Sequence, residues 1–174
     1  KSFFITIFSI GFANAIDFEF IPESASSVSY TGYHMLHDFT GVTSDFNLVI
    51  NCAENKCNAD IVIPIESFDS GNPSRDSNML YYTEAWDHPD VRLKSSEFIL
   101  PESDTDMKIT GELEFHGYKQ EVEFDVLFMK VEDIWTISGG FKVPLYAFEV
   151  DRPSLLMIKI EDYVDIEFNL KGIL

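Results

Sequence analysis

The sequence predicts an all-β domain, a sandwich or barrel of roughly eight antiparallel strands with one short helix. Apolar and polar residues alternate with a period of two through most of the chain, which is the pattern of half-buried strands. The strands follow one another at short, regular intervals and are joined by turn residues. Aromatic residues make up 14% of the 174 residues, and 16 residues are Phe. This apolar load fits either a thick core or the wall of an apolar cavity.

The first fifteen residues have the form of a secretory signal peptide. Lys1 provides a positive charge, residues 3–12 form an apolar run, and Ala13 and Ala15 give the small-x-small pattern that signal peptidase accepts. The apolar run is shorter than a membrane-spanning helix requires. We therefore expect a signal peptide at 1–15 and a mature, periplasmic or secreted domain at 16–174. A buried first strand or a membrane anchor is the alternative interpretation of the same residues.

Each predicted strand contributes one apolar stripe. In chain order the stripes are Ile16, Phe18 and Phe20; Val28 and Tyr30; Phe46, Leu48 and Ile50; Ile61, Ile63 and Ile65; Val91 and Leu93; Met107, Ile109, Leu113 and Phe115; Val122, Phe124, Val126 and Phe128; Trp135, Ile137 and Phe141; Val164, Ile166, Phe168 and Leu170. Residues 53–56 and 116–119 predict hairpin turns, and Gly117 supplies the unusual backbone angle of the second turn. Residues 73–86 break the alternation and predict the helix, which begins near Pro73. A closed barrel would remove the exposed strand edges that favour aggregation.

Two cysteines flank the first predicted hairpin turn. Cys52 and Cys57 would face each other across the two strands, at a spacing that a disulfide can span. In an exported protein such a pair favours a disulfide over a metal site, because two sulfurs without a partner histidine are too few ligands for zinc. The bridge would close a short loop and would fix the register of the hairpin more than it would stabilise the fold.

The charge balance excludes one class of partner. The chain has 12 Lys and Arg against 30 Asp and Glu, a formal net charge of −18, and without Lys1 the 11 remaining basic residues leave −19. Such a negative field repels phosphate backbones and anionic bilayers. We expect no nucleic-acid partner and no stable membrane insertion. The oligomeric state stays open, a homodimer included.

No motif in the sequence predicts catalysis. The chain has no nucleophile elbow, phosphate-binding glycine loop or zinc-protease signature. His34, His37 and Asp38 would share one face only on a helix, and their surroundings predict a strand or loop, so we expect no metal and no cofactor. The many acids alternate with apolar residues and are expected on a solvated outer face. The protein is therefore not expected to be an enzyme.

Three segments in this order resemble the YceI-like family. They are SFDSGNPSRD at 67–76, WDHPDVRLKSS at 86–96 and ITGELEFHGYKQEV at 109–122. With the closing strands, the resemblance extends over residues 16–172. It implies an eight-stranded antiparallel barrel of lipocalin-like shape, exported to the periplasm, which holds a polyisoprenoid or similar long apolar chain. The link at 34–41 is shorter than is usual in that family and is expected to border the mouth of the cavity.

The resemblance turns the inward stripes into a candidate binding site. The residues expected to line a ligand cavity are Phe46, Leu48, Ile61, Ile63, Leu113, Phe115, Phe124, Val126, Ile137, Phe141, Ile166 and Phe168. The same stripes also fit a filled core, in which case the protein would be a structural or interaction protein without a ligand. Arg75 has two interpretations as well: it ties the short helix to a carboxylate of the barrel, or it contacts the head group of a ligand.

Overall fold

The computed structural model describes residues 16–18, 21–22, 25–53 and 55–173. The predicted signal peptide at 1–15 lies outside these residues. Within them the strands are β1 (Ile16–Phe18), β2 (Ile21–Pro22), β3 (Ser27–Gly32), β4 (Phe39–Thr43), β5 (Asn47–Ala53), β6 (Lys56–Pro64), β7 (Asp90–Ser95), β8 (Phe98–Ile99), β9 (Thr105–Phe115), β10 (Tyr118–Val131), β11 (Ile134–Pro144), β12 (Ser154–Leu155), β13 (Ile158–Lys159) and β14 (Tyr163–Ile173). One α-helix, α1 (Pro73–Tyr82), and two single-turn 3-10 helices, Ile65–Ser67 and Leu145–Phe148, complete the list. Within the described ranges, no helix has the length and apolar character needed to cross a membrane.

The strands form one curled antiparallel sheet in the order β1-β5-β6-β7-β9-β10-β11-β14-β3-β4, and β12 and β13 form a separate hairpin. Only residues 44–46 separate β4, which pairs with β3, from β5, which pairs with β6. These two strands run in the same direction and act as one bent strand that belongs to both edges of the sheet. Counted in this way, β3, β4–β5, β6, β7, β9, β10, β11 and β14 form an eight-stranded barrel. The predicted all-β barrel class is confirmed.

The structure contains more strands than the sequence predicts. Four of the additional strands, β2, β8, β12 and β13, are only two residues long. The strand β4, with sequence FTGVT, was also missed, because Gly41 and Thr43 replace apolar residues at its inward positions. Tertiary packing explains the glycine: a Cβ on Gly41 would lie 2.4 Å from Cε1 of Tyr30, whose ring covers this position. Pairing with β3 therefore determines β4 although its apolar pattern is weak.

The bend of β4–β5 is held against the segment that follows β6. Val42 and Asp69 exchange two backbone hydrogen bonds of 2.9 Å each, and Thr43 Oγ1 donates to Ser67 Oγ at 2.8 Å. These contacts connect β4 to the segment between β6 and α1. They support the barrel at the bend between β4 and β5.

The helix α1 begins where the sequence predicts it. The side chain of Asn72 caps the helix by accepting hydrogen bonds from the backbone N–H groups of Ser74 and Arg75, and Pro73 occupies the first turn. The helix ends at Tyr82 rather than at residue 86, since the backbone N–H of Thr83 already closes the last turn on the carbonyl of Met79. Residues after Tyr82 continue as turns toward β7.

Because neighbouring strands are antiparallel, the connections between them lie at one or the other end of the barrel. One end carries α1, the β9–β10 turn, the 3-10 helix Leu145–Phe148 and the loops 33–38 and 149–162. The opposite end carries the β5–β6 hairpin, β8 and the β10–β11 turn. In the β5–β6 hairpin, Cys52 pairs with Cys57 and the two form a disulfide, as the sequence predicts.

The outer face of the barrel is acidic and solvated. Lys108 contacts Glu123 and Asp125 at 2.9 and 3.1 Å, and Lys119 contacts Glu112 at 2.8 Å. All of these side chains are exposed, so each pair contributes little to stability. The apolar partners of these residues in the alternation point inward.

Candidate ligand-binding cavity

The interior of the barrel contains a cavity of about 490 Å³ with an apolar wall. This volume lies within the range of roughly 300–1,000 Å³ that is typical of small-molecule sites. Eleven of the twelve residues that the sequence assigned to a cavity wall line it: Leu48, Ile61, Ile63, Leu113, Phe115, Phe124, Val126, Ile137, Phe141, Ile166 and Phe168. Alternation within each strand brings these eleven side chains together, because every second residue points to the same face.

Strand register continues the wall across the sheet. Leu48 of β5 pairs with Ile61 of β6, Ile61 pairs with Leu93 of β7, and Leu93 pairs with Leu113 of β9. Directly paired residues on the same face have Cβ atoms about 4.5–5.5 Å apart. Four neighbouring strands therefore give an unbroken row of aliphatic side chains on the inner surface.

Phe46 is the assigned residue that lies elsewhere. It belongs to the three-residue bend between β4 and β5, where the alternation of the strand is interrupted. Its half-buried ring packs against the main apolar cluster outside the cavity lining. Phe46 was placed on the inner face because it lies two residues before Leu48, but strict alternation of faces holds only within a strand and not through a bend.

Several lining residues were not assigned from the sequence. Tyr30, Phe39 and Phe68 form an aromatic cluster at the lining, with Tyr30 edge-on to Phe39 and Phe68 at centroid distances of 6.4 and 5.4 Å. Phe128 and Met79 also line the cavity. Tyr30 and Phe128 belong to apolar stripes that are visible in the sequence, so their inward orientation could have been predicted. Phe68 and Met79 lie outside the strands and depend on how α1 and its approach fold over the open end.

Helix α1 adds a polar border to this apolar space. Ser74, Arg75 and Asn78 of the helix line the cavity, together with the capping residue Asn72. Arg75 Nη1 donates to the carbonyl oxygen of Ser70 at 3.4 Å, and its guanidinium lies 5.3 Å from the centroid of the Phe39 ring. Across the described residues, no carboxylate lies within ion-pairing distance of Arg75. The expected tie between Arg75 and a barrel carboxylate is therefore wrong, and the guanidinium is instead held by a carbonyl and an aromatic face.

The hydroxyl of Tyr30 is a second polar group in the cavity. Tyr30 is 9% exposed, and its hydroxyl oxygen has no hydrogen-bond partner among the described residues. Burial, followed by the nearby carboxylate of Asp76, raises the pKa of Tyr30 to about 12. The phenol is therefore a neutral donor at physiological pH. The hydroxyl therefore supplies a hydrogen-bond donor at the cavity lining.

The loop after β3 places the two histidines differently. His34 is buried: its Nε2 donates to the carbonyl oxygen of Ile158 at 3.2 Å, and its Nδ1 accepts from the backbone N–H of Leu36 at 3.2 Å. His37 is exposed, and both residues line the cavity. Over the ranges described here, no group of three or more His, Cys, Asp and Glu is arranged to hold a metal. His34 instead connects two loops at the mouth of the cavity.

A second buried histidine, His116, forms a hydrogen bond between two connections at the same end of the barrel. His116, in the β9–β10 turn, donates from Nδ1 to the carbonyl oxygen of Phe148 at 2.8 Å. Its Nε2 lies 3.4 Å from the carboxylate of Glu84, in the segment that follows α1. His116 therefore connects the β9–β10 turn to the 3-10 helix Leu145–Phe148, while its Nε2 has no hydrogen-bond partner among the described residues.

Comparison with known proteins agrees with this architecture. The family model of the YceI-like domain matches residues 20–172. BcnA of Burkholderia cenocepacia is similar in structure, with a TM-score of 0.74 and 23% identity, over 84% of this chain and 96% of that one. A polyisoprenoid-binding domain from Saccharophagus degradans gives a TM-score of 0.70 at 13% identity, over 88% of this chain and 96% of that one. A YceI protein of Campylobacter jejuni gives 0.64 at 17% identity, over 77% and 84%. No curated protein sequence matches this chain.

Proposed function

The chain belongs to the YceI-like domain family, and from that membership we propose that it is an exported lipid-binding protein that holds one long apolar chain inside its barrel. The ligand is an isoprenoid or a similar lipid, held for carriage, storage or protection in water. The observation that carries the proposal is the 490 Å³ cavity with its apolar wall. An open interior favours ligand binding over the alternative of a structural protein with a filled core.

The size of the cavity suggests how much of a ligand it encloses. At about 30 Å³ for each water-sized group, 490 Å³ accommodates roughly 16 heavy atoms, or about three isoprene units. Burial of each methylene contributes about 0.8 kcal/mol before the cost of association. Affinity therefore comes from the apolar tail, and a longer tail would continue toward the open end of the barrel.

The polar residues at the cavity give the ligand a direction. Arg75 and the Tyr30 hydroxyl are both groups that can donate hydrogen bonds, so we assign them to a ligand head group that carries acceptor oxygens. The tail would then occupy the region around Phe124, Ile137 and Phe168, where the described lining is apolar.

Export is part of the proposal. The Cys52–Cys57 disulfide agrees with an oxidising compartment, since such bridges are rare in the cytosol. Cleavage of a signal peptide after Ala15 would leave β1, which begins at Ile16, intact. The net charge of −18 also fits a protein that must stay soluble while it holds an apolar cargo.

Native mass spectrometry of the protein, purified from the exported fraction without detergent, tests both parts. We expect the mass of a chain that begins at Ile16, with a stoichiometric adduct that organic extraction recovers as a long apolar compound. A mass without an adduct, unchanged after incubation with prenyl lipids, would contradict the lipid-binding proposal and favour the filled-core alternative.

A pair of variants distinguishes an effect on the cavity from an effect on folding. Ala59 lines the cavity on β6, so A59F fills the space that a ligand needs. Val49, on the neighbouring strand β5, points outward, so V49F adds the same ring on the other face of the sheet. We expect A59F to lose the adduct while it stays folded, and V49F to keep it. Retention of the adduct by folded A59F would place the ligand elsewhere.

A further inference from the structure

Two loops at the mouth of the cavity expose large apolar side chains. Met35 and Leu36 follow β3 and are 73% and 57% exposed. Leu156 and Met157 form the turn of the β12–β13 hairpin and are 73% and 97% exposed. We call these four side chains the apolar tips. Contiguous exposed apolar residues on a soluble domain mark an interaction site.

The two loops are connected to each other. His34 lies between them, since its Nε2 donates to the carbonyl oxygen of Ile158 and its Nδ1 accepts from the backbone N–H of Leu36. The backbone N–H of Glu161 also donates to the carbonyl oxygen of Tyr33 at 2.8 Å. The apolar tips therefore belong to one surface rather than to two independent loops.

The backbone of the hairpin turn is unusual for these residue types. Leu156 and Met157 have φ angles of 52° and 68°, in the left-handed region. Two-residue hairpin turns with positive φ at both positions strongly favour Asn-Gly, because other side chains are strained there. A strained turn that presents two apolar residues to solvent points to a function at that place.

The apolar tips adjoin the cavity. Pro153, Ser154 and Leu155 of the hairpin line the cavity, and so do His34 and His37 of the other loop. A lipid that leaves the barrel past these loops would pass from one apolar surface to the next. The segments 33–37 and 153–158 also contain no Asp, Glu, Lys or Arg, in a chain that has 42 of them.

From these observations we propose that the apolar tips insert into the surface of a lipid bilayer and bring the cavity mouth to the membrane. The purpose of this docking depends on the proposed lipid-binding function, but the docking itself can be measured without cargo. Narrow turns suit insertion between head groups, whereas a stable protein interface needs roughly 800 Å² from each partner. The net charge of −18 predicts a preference for zwitterionic over anionic lipid.

Flotation with phosphatidylcholine vesicles tests the proposal on the full exported protein. We expect the wild type to float with the vesicles, and added phosphatidylglycerol to weaken the binding at low salt. L156N/M157G removes two apolar tips and installs the Asn-Gly pair that the turn favours, so its fold is preserved. Since burial of one such side chain is worth roughly tenfold or more in partitioning, we expect this variant to bind about a hundredfold more weakly.

A matched control lies at the opposite end of the barrel. Ile99 and Val131 are also exposed apolar residues, 62% and 73%, so I99N/V131N should leave vesicle binding within about twofold of the wild type. The cavity variant A59F should also float, which separates failure of docking from failure of lipid binding.

Four results would overturn the docking proposal, and three of them concern flotation. These are no flotation of the wild type with phosphatidylcholine, equal flotation of L156N/M157G, and stronger binding as anionic lipid is added. A concentration-dependent dimer that L156N/M157G dissociates, without vesicle binding, would assign the apolar tips to a second copy of the chain and would also overturn it.

Discussion

Replacement of the strained turn of the β12–β13 hairpin should stabilise the protein, an unusual result for a double substitution. Leu156 and Met157 adopt left-handed backbone conformations that cost ordinary residues about 1–2 kcal/mol each. In L156N/M157G, Gly removes one of these costs and Asn reduces the other. The Gly substitution also offsets about 0.5–1 kcal/mol of this stabilisation, because Gly increases the conformational entropy of the unfolded chain.

The exposure of the two side chains fixes the sign of the net effect. Met157 is almost fully exposed and Leu156 largely so, and their removal therefore forfeits little packing. We expect the free energy of unfolding to rise by about 1–2 kcal/mol, since the relief of strain exceeds the entropic loss. For a domain of this size, the corresponding rise in Tm is roughly 3–6 °C.

Urea unfolding of the cargo-free protein, followed by far-UV circular dichroism, measures this change. The midpoint should rise while the slope m stays constant, because the surface exposed on unfolding hardly changes. I99N, an exposed substitution at the other end of the barrel, should stay within about 0.5 kcal/mol of the wild type. A lower midpoint for L156N/M157G would refute the argument, since it would mean that these side chains pack against the protein.

Three further predictions concern the cavity and the disulfide. Y30F removes a buried hydroxyl without a partner and should stabilise the cargo-free protein by about 1 kcal/mol at pH 7 in urea unfolding. Because burial raises the pKa of Tyr30 in the folded state from 10.0 to about 12, its ionisation leaves the free energy of unfolding of the wild type unchanged below pH 10 and lowers it by about 2 kcal/mol as the pH rises toward 12. An alkaline loss of the same size in Y30F would contradict the assignment. Reduction of the Cys52–Cys57 bridge should lower the free energy of unfolding by about 2 kcal/mol, as expected for so short a loop, with C52A/C57A insensitive to reductant as the control. R75M should weaken the binding of a prenyl alcohol or phosphate about tenfold in a titration, because it removes a charged donor, but should not change the binding of an isoprenoid hydrocarbon; an equal loss for both ligands would make Arg75 a structural residue.

The sequence alone determined most of the wall of the barrel. In a strand the side chains alternate strictly between the two faces, so the apolar positions of β6, β9, β10, β11 and β14 could be assigned to the interior without a structure. The same alternation, applied to the turn between Cys52 and Cys57, predicted the register that the disulfide requires. The start of α1 also depends on local sequence, namely the capping residue Asn72 and Pro73 in the first turn.

Local pattern failed wherever the chain changes direction between strands. Phe46 was assigned by counting through a bend, and β4 was missed because its inward position Gly41 makes room for the ring of Tyr30 on β3. Neither effect is visible in the alternation, since each depends on a neighbour that only strand pairing supplies.

The open end of the barrel was decided by tertiary structure. The sequence left Arg75 with two interpretations, a tie to a barrel carboxylate or a contact with a ligand head group, and the fold places it on the face of Phe39 and at the carbonyl of Ser70. His34 connects two loops whose hydrogen-bonded residues, Leu36 and Ile158, lie 122 positions apart in the chain. The alternation of residues determined the inner and outer faces of the sheet, because a side chain's face follows from its own strand. The mouth of the cavity depends on contacts between distant segments, and only the folded chain brings these together.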